Sequence, residues 1–294
     1  MNIKNVTVFG SGVLGSQIAF QTAYKGFNVT VYDLKEEYLN AAKEKFEQLG
    51  ERYKNDLQST SQDIENAMNN ISFSADLAEA VKDADLGIEA VPEDIHIKKD
   101  FYTNLAKVAP EKTIFATNSS TLLPSQFAEE TGRPERFLAL HFANEVWKNN
   151  TAEIMKHSGT DQTVFETIID FAKAIGMVAL PIYKEQPGYI LNSLLVPFLG
   201  AAMDLYVKEI ADPQTIDKTW MIATGAPKGP FAIYDIVGLT TAYNITKMRA
   251  DASGDERLSK AAWKLKRDFI DKGKLGVTTG EGFYKYSNDN EDVA

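Results

Sequence analysis

Short apolar runs alternate with longer amphipathic stretches through the first half of the chain. The runs are rich in Val, Ile, Phe and Thr, a composition typical of buried strands. We expect strands over residues 6–9, 29–32, 86–91, 113–116, 137–140 and 177–182. Helical patterns lie between them, over residues 13–25, 36–54, 97–108, 126–130 and 164–174. This alternation predicts an α/β fold with a Rossmann-type, mostly parallel sheet covered by helices on both faces.

The pattern changes after Lys184. Gln186-Pro187-Gly188 interrupts the chain, and long helical patterns without a convincing strand follow it. They cover residues 189–208, 213–223, 240–250 and 258–272. We therefore expect two domains, a sheet domain over residues 1–184 and an all-helical domain over residues 185–294.

Composition excludes several classes of function. The chain of 294 residues has a formal net charge of -10, which disfavours binding to nucleic acid or to an anionic membrane. It contains no cysteine, so disulfides, a thiol nucleophile and cysteine-based metal sites are absent. The three histidines, His96, His141 and His157, are widely separated, and we expect no metal site. We interpret His96 and His157 as solvated.

Two apolar stretches resemble membrane-directed segments. Residues 189–207 are the most apolar long stretch, but Asn192, Pro197 and Asp204 interrupt it, so we expect no membrane span. The stretch after Lys4 loosely resembles a secretory signal, but glycines break its apolar block. We therefore expect a cytoplasmic protein.

A glycine-rich motif, Gly10-Ser11-Gly12-Val13-Leu14-Gly15, follows the first predicted strand and opens a helix. This is the context that a dinucleotide-binding turn requires. Gly10 permits the tight turn, Gly12 lets a diphosphate approach the backbone, and Gly15 lets helix and strand pack closely. The helix N-terminus then offers amides and a favourable dipole to the diphosphate. The alternative is a glycine-rich turn with no ligand.

An acidic residue, Asp33, ends the second predicted strand at the expected spacing of about 20 residues from this motif. Its carboxylate can accept hydrogen bonds from the adenosine ribose and repels the 2′-phosphate of NADP. The sequence therefore predicts NAD as the cofactor, although the nearby Lys35 leaves the choice partly open.

Among the histidines, His141 alone closes a predicted strand, at the sheet edge where ligands of parallel sheets bind. A neutral imidazole at this edge can accept a proton from a substrate hydroxyl. Glu153 is a candidate partner that would fix the tautomer. From the residues alone, a purely structural His141 is equally consistent with the pattern.

The chain resembles the 3-hydroxyacyl-CoA dehydrogenases, which include the bacterial 3-hydroxybutyryl-CoA dehydrogenases, over almost its whole length. Besides the glycine motif, the shared segments are residues 89–93 (EAVPE), 118–122 (NSSTL), 141–144 (HFAN), 187–192 (PGYILN), 229–231 (GPF), 235–239 (DIVGL) and 280–284 (GEGFY). The resemblance implies NAD-dependent, reversible oxidation of a 3-hydroxyl to a ketone, and a helical second domain that forms a homodimer.

The resemblance also implies roles for particular positions. The residues that match the family's catalytic histidine, its paired carboxylate and the polar groups beside the reacting oxygen are His141, Glu153, Ser120 and Asn192. The residues that match contacts to the nicotinamide half of NAD are Glu93, Lys98, Ser120 and Asn144.

Several positions depart from the family pattern. Ala143 replaces a phenylalanine and Glu145 replaces a proline, and residues 146–150 are unusually polar. The basic residues that usually meet CoA phosphates are interleaved here with acids over residues 43–56, and residues 277–279 replace a lysine-containing stretch. We expect a short-chain 3-hydroxyacyl-CoA as substrate. The alternatives are a free hydroxy acid, as in gulonate or carnitine dehydrogenases, or a non-enzymatic NAD-binding protein.

Overall fold

The computed structural model describes residues 3–286. Within this range the chain forms eight strands. They are β1 (Asn5–Phe9), β2 (Asn28–Tyr32), β3 (Ile71–Ser74), β4 (Leu86–Glu89), β5 (Ile114–Thr117), β6 (Phe137–Phe142), β7 (Thr151–Met155) and β8 (Val178–Ile182).

The strands form one sheet with the order β3-β2-β1-β4-β5-β6-β7-β8. Neighbours pair in parallel except β6 and β7, which are antiparallel. The predicted mostly parallel Rossmann-type sheet is confirmed. Strands β3 and β7 were not predicted, because polar residues such as Ser72 and Glu153 interrupt their apolar runs.

Eleven helices accompany the described strands. They are α1 (Val13–Tyr24), α2 (Glu36–Leu57), α3 (Ser61–Asn69), α4 (Leu77–Val81), α5 (Ile95–Val108), α6 (Gln162–Ala174), α7 (Tyr189–Val207), α8 (Pro213–Thr224), α9 (Pro230–Val237), α10 (Leu239–Ser253) and α11 (Glu256–Asp268). The helix expected over residues 126–130 is wrong, since two single 3₁₀ turns, Pro124–Gln126 and Glu129–Thr131, occupy that region.

Acidic side chains start many of these helices. Asp94 accepts hydrogen bonds from two amides at the start of α5, and Asp161 and Asp212 cap α6 and α8. Thr60 and Asp63 form a reciprocal capping box on α3. Such side chains satisfy amides that have no partner within the helix.

Apolar side chains are buried on both faces of the sheet. On one face, Ile18 of α1, Phe46 of α2 and Ile168 of α6 belong to a single core cluster with β1 and β4 residues. On the other, Tyr102 and Leu105 of α5 pack in a second cluster. Burial on both sides explains why the strands read as continuous apolar runs rather than alternating ones.

Contacts within the chain divide it into two compact units. The first ends at Ile190 and the second begins at Leu191, whereas the sequence-based boundary lies at residues 184–185. The described part of the second unit contains helices and no sheet strand.

Two buried aspartates organise the second unit. Asp217 accepts hydrogen bonds from the amides of Phe231 and Ala232, at 2.8 and 2.9 Å, where α9 begins. Asp235 accepts the amides of Phe283 and Tyr284, both at 2.9 Å. The motifs at residues 229–231 and 280–284 therefore hold this unit together, since buried acceptors need such partners.

Candidate functional site

The glycine motif forms an open turn between β1 and α1. Gly10 has a φ of 101°, and a Cβ there would lie 2.6 Å from the carbonyl oxygen of Ala90. A Cβ on Gly15 would lie 2.0 Å from the carbonyl oxygen of Gly10. No atom lies within 4 Å of the position of a Cβ on Gly12, which starts α1 without a side-chain cap. The turn therefore leaves one side of its backbone accessible to an anion.

The two residues between Gly12 and Gly15 have different environments. Val13 is 66% exposed, whereas Leu14 packs against the main core cluster. Leu14 therefore fixes the start of α1 against the core. A ligand would reach the turn from the side of Val13.

Asp33 lies directly after β2 and is oriented by this turn. Its Oδ2 accepts hydrogen bonds from the amide and hydroxyl of Ser11, at 2.8 and 2.6 Å. Its Oδ1 accepts the amide of Leu34 at 2.8 Å. The carboxylate is thus fixed at the rim of the turn, at the place where a ribose hydroxyl would bind.

A cavity of about 810 Å³ lies beside Gly10, Gly12 and Asp33. Residues that the sequence did not indicate complete its walls, namely Leu34, Tyr38, Leu77, Ile97, Asp100, Phe101 and Asn104. Apolar walls with a few polar groups suit an adenosine moiety. The residues therefore fit the adenosine and diphosphate of NAD.

The turn that follows β5 surrounds one carboxylate oxygen of Glu93, whose side chain is 37% exposed. Its Oε1 accepts the hydroxyls of Ser119 and Thr121, at 2.5 and 2.8 Å, and the amides of Ser120 and Thr121, at 3.0 and 2.8 Å. Burial alone would raise the pKa of Glu93, but these hydrogen bonds and the charge of Lys98 outweigh it and lower the pKa to about 2.

Lys98 lies beneath Glu93 and is 1% exposed. Its Nζ lies 2.5 Å from Glu89 Oε1 and 3.4 Å from Glu93 Oε2. Burial raises the pKa of Glu89, and Lys98 opposes that effect. Lys98 was predicted as a cofactor contact. In the structure, its ammonium group lies against the carboxylates of Glu89 and Glu93. The role of the buried Glu89 was not predicted from the sequence.

His141 lies on β6 between two oxygen atoms. Its Nε2 is 3.1 Å from Ser120 Oγ, and its Nδ1 is 3.2 Å from Glu153 Oε2. Glu153 is the register partner of His141 across the β6–β7 pair. The structure thus brings His141, Ser120 and Glu153 together.

Asn144 is held by a residue that the sequence did not indicate. Gln17, buried on α1, donates from Nε2 to Asn144 Oδ1 at 2.9 Å and accepts the amide of Glu145 at 2.8 Å. Asn192 lies in the first turn of α7 and belongs to the second compact unit.

The other histidines differ from each other. His96 is exposed, as expected. The expectation that His157 is solvated is wrong, since it is 6% exposed and lies 2.9 Å from the carbonyl oxygen of Pro134. Gly159 donates its amide to the other ring nitrogen. His157 therefore closes a local turn, a role that a polar sequence neighbourhood does not reveal.

The segment after β6 is tied to the C-terminal half of α2. Glu145 adopts a φ of 59°, which a proline at this position would be unable to adopt. The Arg52 guanidinium pairs with Glu145 and lies 4.4 Å from the centre of the Trp147 ring. Trp147 Nε1 donates to Asp56 at 2.8 Å, and that bond and the nearby Lys148 lower the pKa of Asp56.

Within residues 3–286, no group of three or more His, Cys, Asp or Glu side chains is arranged to hold a metal ion. An imidazole that can accept one proton lies at the same sheet edge as a cavity whose lining fits a dinucleotide, and this combination is typical of nicotinamide-dependent dehydrogenases.

Comparisons with known proteins identify the family. The model of the 3-hydroxyacyl-CoA dehydrogenase NAD-binding domain matches residues 5–186, and that of its C-terminal domain matches residues 188–286. The chain belongs to the 3-hydroxyacyl-CoA dehydrogenase family. The predicted resemblance, the NAD cofactor and the assignment as an oxidoreductase are confirmed.

Three relatives illustrate the range of the family. The human mitochondrial hydroxyacyl-coenzyme A dehydrogenase is 35% identical over 97% of this chain and 91% of its own length. A probable 3-hydroxybutyryl-CoA dehydrogenase of Bacillus subtilis is 30% identical over 97% and 98%. A solved diketoreductase, which acts on dicarbonyl compounds, is 57% identical, covers 97% of this chain and 100% of its own, and superposes with a TM-score of 0.93.

Proposed function

We propose that this protein interconverts a short-chain 3-hydroxyacyl-CoA, such as 3-hydroxybutyryl-CoA, and its 3-keto form with NAD. The observation that carries this proposal is the placement of His141 between Ser120 and Glu153. The family membership supplies the reaction class, and the imidazole supplies the group that moves the hydroxyl proton.

Glu153 determines which imidazole nitrogen is available to the substrate. With the Nδ1 proton directed to Glu153, the lone pair of Nε2 faces Ser120. In the oxidative direction, Nε2 accepts the substrate hydroxyl proton, and Glu153 stabilises the resulting imidazolium. When the substrate hydroxyl takes the place of Ser120 at Nε2, the Ser120 hydroxyl can donate its hydrogen bond to the reacting oxygen. NAD, when bound, would supply the hydride acceptor for oxidation at the carbon that bears the substrate hydroxyl.

A second candidate substrate is a small dicarbonyl compound or hydroxy acid without CoA. The pairing of Arg52 with Glu145 favours it, because that cation is already neutralised. Lys54 likewise pairs with Glu51 at 2.8 Å, and Lys45 donates to the carbonyl oxygen of Ser11 at 2.9 Å. The phosphates of CoA therefore gain little from this surface. The likeness to the diketoreductase supports the same candidate.

The two candidates are separated by the rate of NADH oxidation with acetoacetyl-CoA and with a panel of free keto acids and diketones. The first candidate predicts efficient turnover of acetoacetyl-CoA that falls with added salt. A millimolar KM or no turnover for acetoacetyl-CoA, together with faster reaction of a free dicarbonyl compound, would establish the second. Absence of turnover with every substrate would reject both.

We also propose that the protein is a homodimer formed through its helical domain. Helix α7 is long and apolar enough, by length and composition alone, to cross a membrane, yet only 17% of its most apolar window is buried in one chain. Leu194 and Leu205 on this helix are 68% and 42% exposed. Coverage by a second copy would bury such a surface. Light scattering should give twice the chain mass at micromolar protein, and a monomer mass would contradict the proposal.

We propose a cytoplasmic location on the basis of the cofactor and the absence of cysteine from the sequence. Fractionation of cells that produce the protein should recover it in the soluble cytoplasmic fraction, and recovery with membranes would contradict this.

A further inference from the structure

Tyr189 lies against the face of the His141 ring. The two ring centres are 4.5 Å apart, with an angle of 28° between the planes. Tyr189 is 1% exposed, so its ring has little freedom to move away. A stacked ring fixes the orientation of the imidazole, and its electron-rich face attracts the imidazolium that forms when Nε2 accepts a proton.

The hydroxyl of Tyr189 holds the turn that carries Ser120. It donates a hydrogen bond of 2.6 Å to the carbonyl oxygen of Ser119. Ser119 immediately precedes Ser120, whose Oγ lies 3.1 Å from His141 Nε2. The hydrogen bond from Tyr189 to Ser119 therefore fixes the backbone next to Ser120. Ser120 lies on the side of the imidazole where we expect the substrate to bind.

The backbone of Tyr189 reaches the other side of the imidazole. Its φ is 56°, a left-handed conformation that is strained for an aromatic residue. This turn directs the next amide, that of Ile190, to Glu153 Oε1 at 2.9 Å. The other oxygen of the same carboxylate lies against His141 Nδ1. The strained backbone of Tyr189 therefore helps to orient the Glu153 carboxylate.

We propose that Tyr189 is a positioning residue for His141, which holds the ring by stacking and holds both of its hydrogen-bond partners through Ser119 and Ile190. The proposal rests on the proposed function, in which His141 moves the proton. Tyr189 itself contacts neither the substrate nor the nicotinamide in this role.

Two substitutions separate the hydroxyl from the ring. Tyr189→Phe keeps the stacking and loses the hydrogen bond to Ser119, and we expect kcat to fall about 3- to 10-fold with the Kd for NAD unchanged. Tyr189→Leu also removes the aromatic face, and we expect a loss of about 10- to 100-fold in kcat. Tyr183→Phe, at a tyrosine that is 68% exposed, is the matched control and should leave kcat unchanged.

NMR titration of the His141 ring supplies a readout that needs no substrate. Loss of the ring face in Tyr189→Leu should change the pH dependence of the imidazole resonances, whereas Tyr189→Phe should leave it as in the unmodified protein. The charged groups around the ring, Glu153 on β7 and Glu93 at the Ser120 turn, are the same in all variants.

The outcomes distinguish the role of Tyr189 from the proposed function. A shifted titration in Tyr189→Leu supports the positioning role even if no tested substrate reacts, which would reject the function alone. Unchanged titration together with kcat within twofold of the unmodified enzyme would overturn the positioning role. If Tyr189→Leu fails to fold, the Tyr189→Phe variant decides, and a twofold or smaller change in kcat would overturn the role.

Discussion

His141 and Glu153 face each other across β6 and β7, the antiparallel pair in the described sheet. Directly opposed residues of such a pair project from the same face, with their Cβ atoms about 5 Å apart. The Nδ1–Oε2 distance of 3.2 Å follows from this register. Reversal of the chain after β6 therefore brings a carboxylate 12 positions away onto the imidazole.

Replacement of His141 tests the proton-transfer step. A positioned general base contributes about 10²- to 10⁴-fold in rate, so His141→Gln should lower kcat on that order. The Kd for NAD, measured by calorimetry, should remain nearly unchanged because the cavity lies at other residues. The exposed His96→Gln is the control. Retention of most of the activity by His141→Gln would show that the ring is only structural.

Replacement of Glu153 tests the support of the imidazolium. Glu153→Gln keeps the side-chain size but removes the negative charge beside Nδ1. We expect kcat to fall by at most as much as in His141→Gln, because the base remains but its charged form loses a partner. Unchanged kcat across the pH range would contradict a role for the carboxylate.

Asp33 tests the preference between the two nicotinamide cofactors. Ser11 holds its carboxylate beside the cavity, where we expect it to meet the adenosine ribose and to repel a 2′-phosphate. Asp33→Ala should weaken NAD binding and reduce the ratio of kcat/KM for NADH to that for NADPH. Turnover by the unmodified protein that is equal or better with NADPH would contradict the preference.

The pH dependence of stability should reveal the ionisation of the hydrogen-bonded carboxylate of Glu93. Its pKa of about 2 lies below the ordinary value of 4.5, so it stabilises the fold above pH 4.5, and that stabilisation is lost as the pH falls toward 2. Glu93→Gln should lower Tm at pH 7, and the difference from the unmodified protein should shrink below about pH 4.5.

The matched control for this experiment is Glu47→Gln, at an exposed position on α2. It should leave Tm nearly constant at every pH. A Tm difference for Glu93→Gln that stays constant from pH 6 to 3.5 would contradict ionisation of Glu93 as its cause.

The mostly parallel sheet and the glycine-rich turn could be predicted from the sequence because each depends on local signals. The run of β1, the glycines after it and Asp33 at the end of β2 lie within one βαβ unit, where spacing alone constrains the geometry. His141 was selected as a candidate by similar logic, since it directly follows the strand predicted over residues 137–140. Each of these predictions depends on residues that lie close to their own strand in the sequence.

The support behind the site could not be predicted because it joins distant segments. Gln17 meets Asn144, and Tyr189 meets Ser119, across separations of 127 and 70 residues. In their own neighbourhoods Gln17 and Tyr189 read as ordinary helix residues. Lys98 was assigned to the cofactor by its match to the family, and its ion pair with Glu89 became visible only with the helix α5 packed on β4.

Disruption of the Arg52–Glu145 pair tests how far neutralisation of this surface lowers kcat/KM for a CoA substrate. Glu145→Asn removes the carboxylate and retains a residue that tolerates the φ of 59°. The freed guanidinium should attract CoA phosphates, and kcat/KM for acetoacetyl-CoA should rise about 2- to 10-fold, most strongly at low salt. The rate with a small uncharged diketone should change little, because this substrate carries no phosphate.

Glu51→Gln is the matched control, since it frees Lys54 from a pair on the same helix. If charge near Glu145 is what matters, this control should raise kcat/KM for acetoacetyl-CoA less than Glu145→Asn does. Efficient turnover of acetoacetyl-CoA by the unmodified enzyme, slowed by salt and by Lys54→Glu, would instead mean that CoA already binds α2 despite its mixed charge. Glu145 would then act through the backbone turn that it forms rather than through its pairing with Arg52.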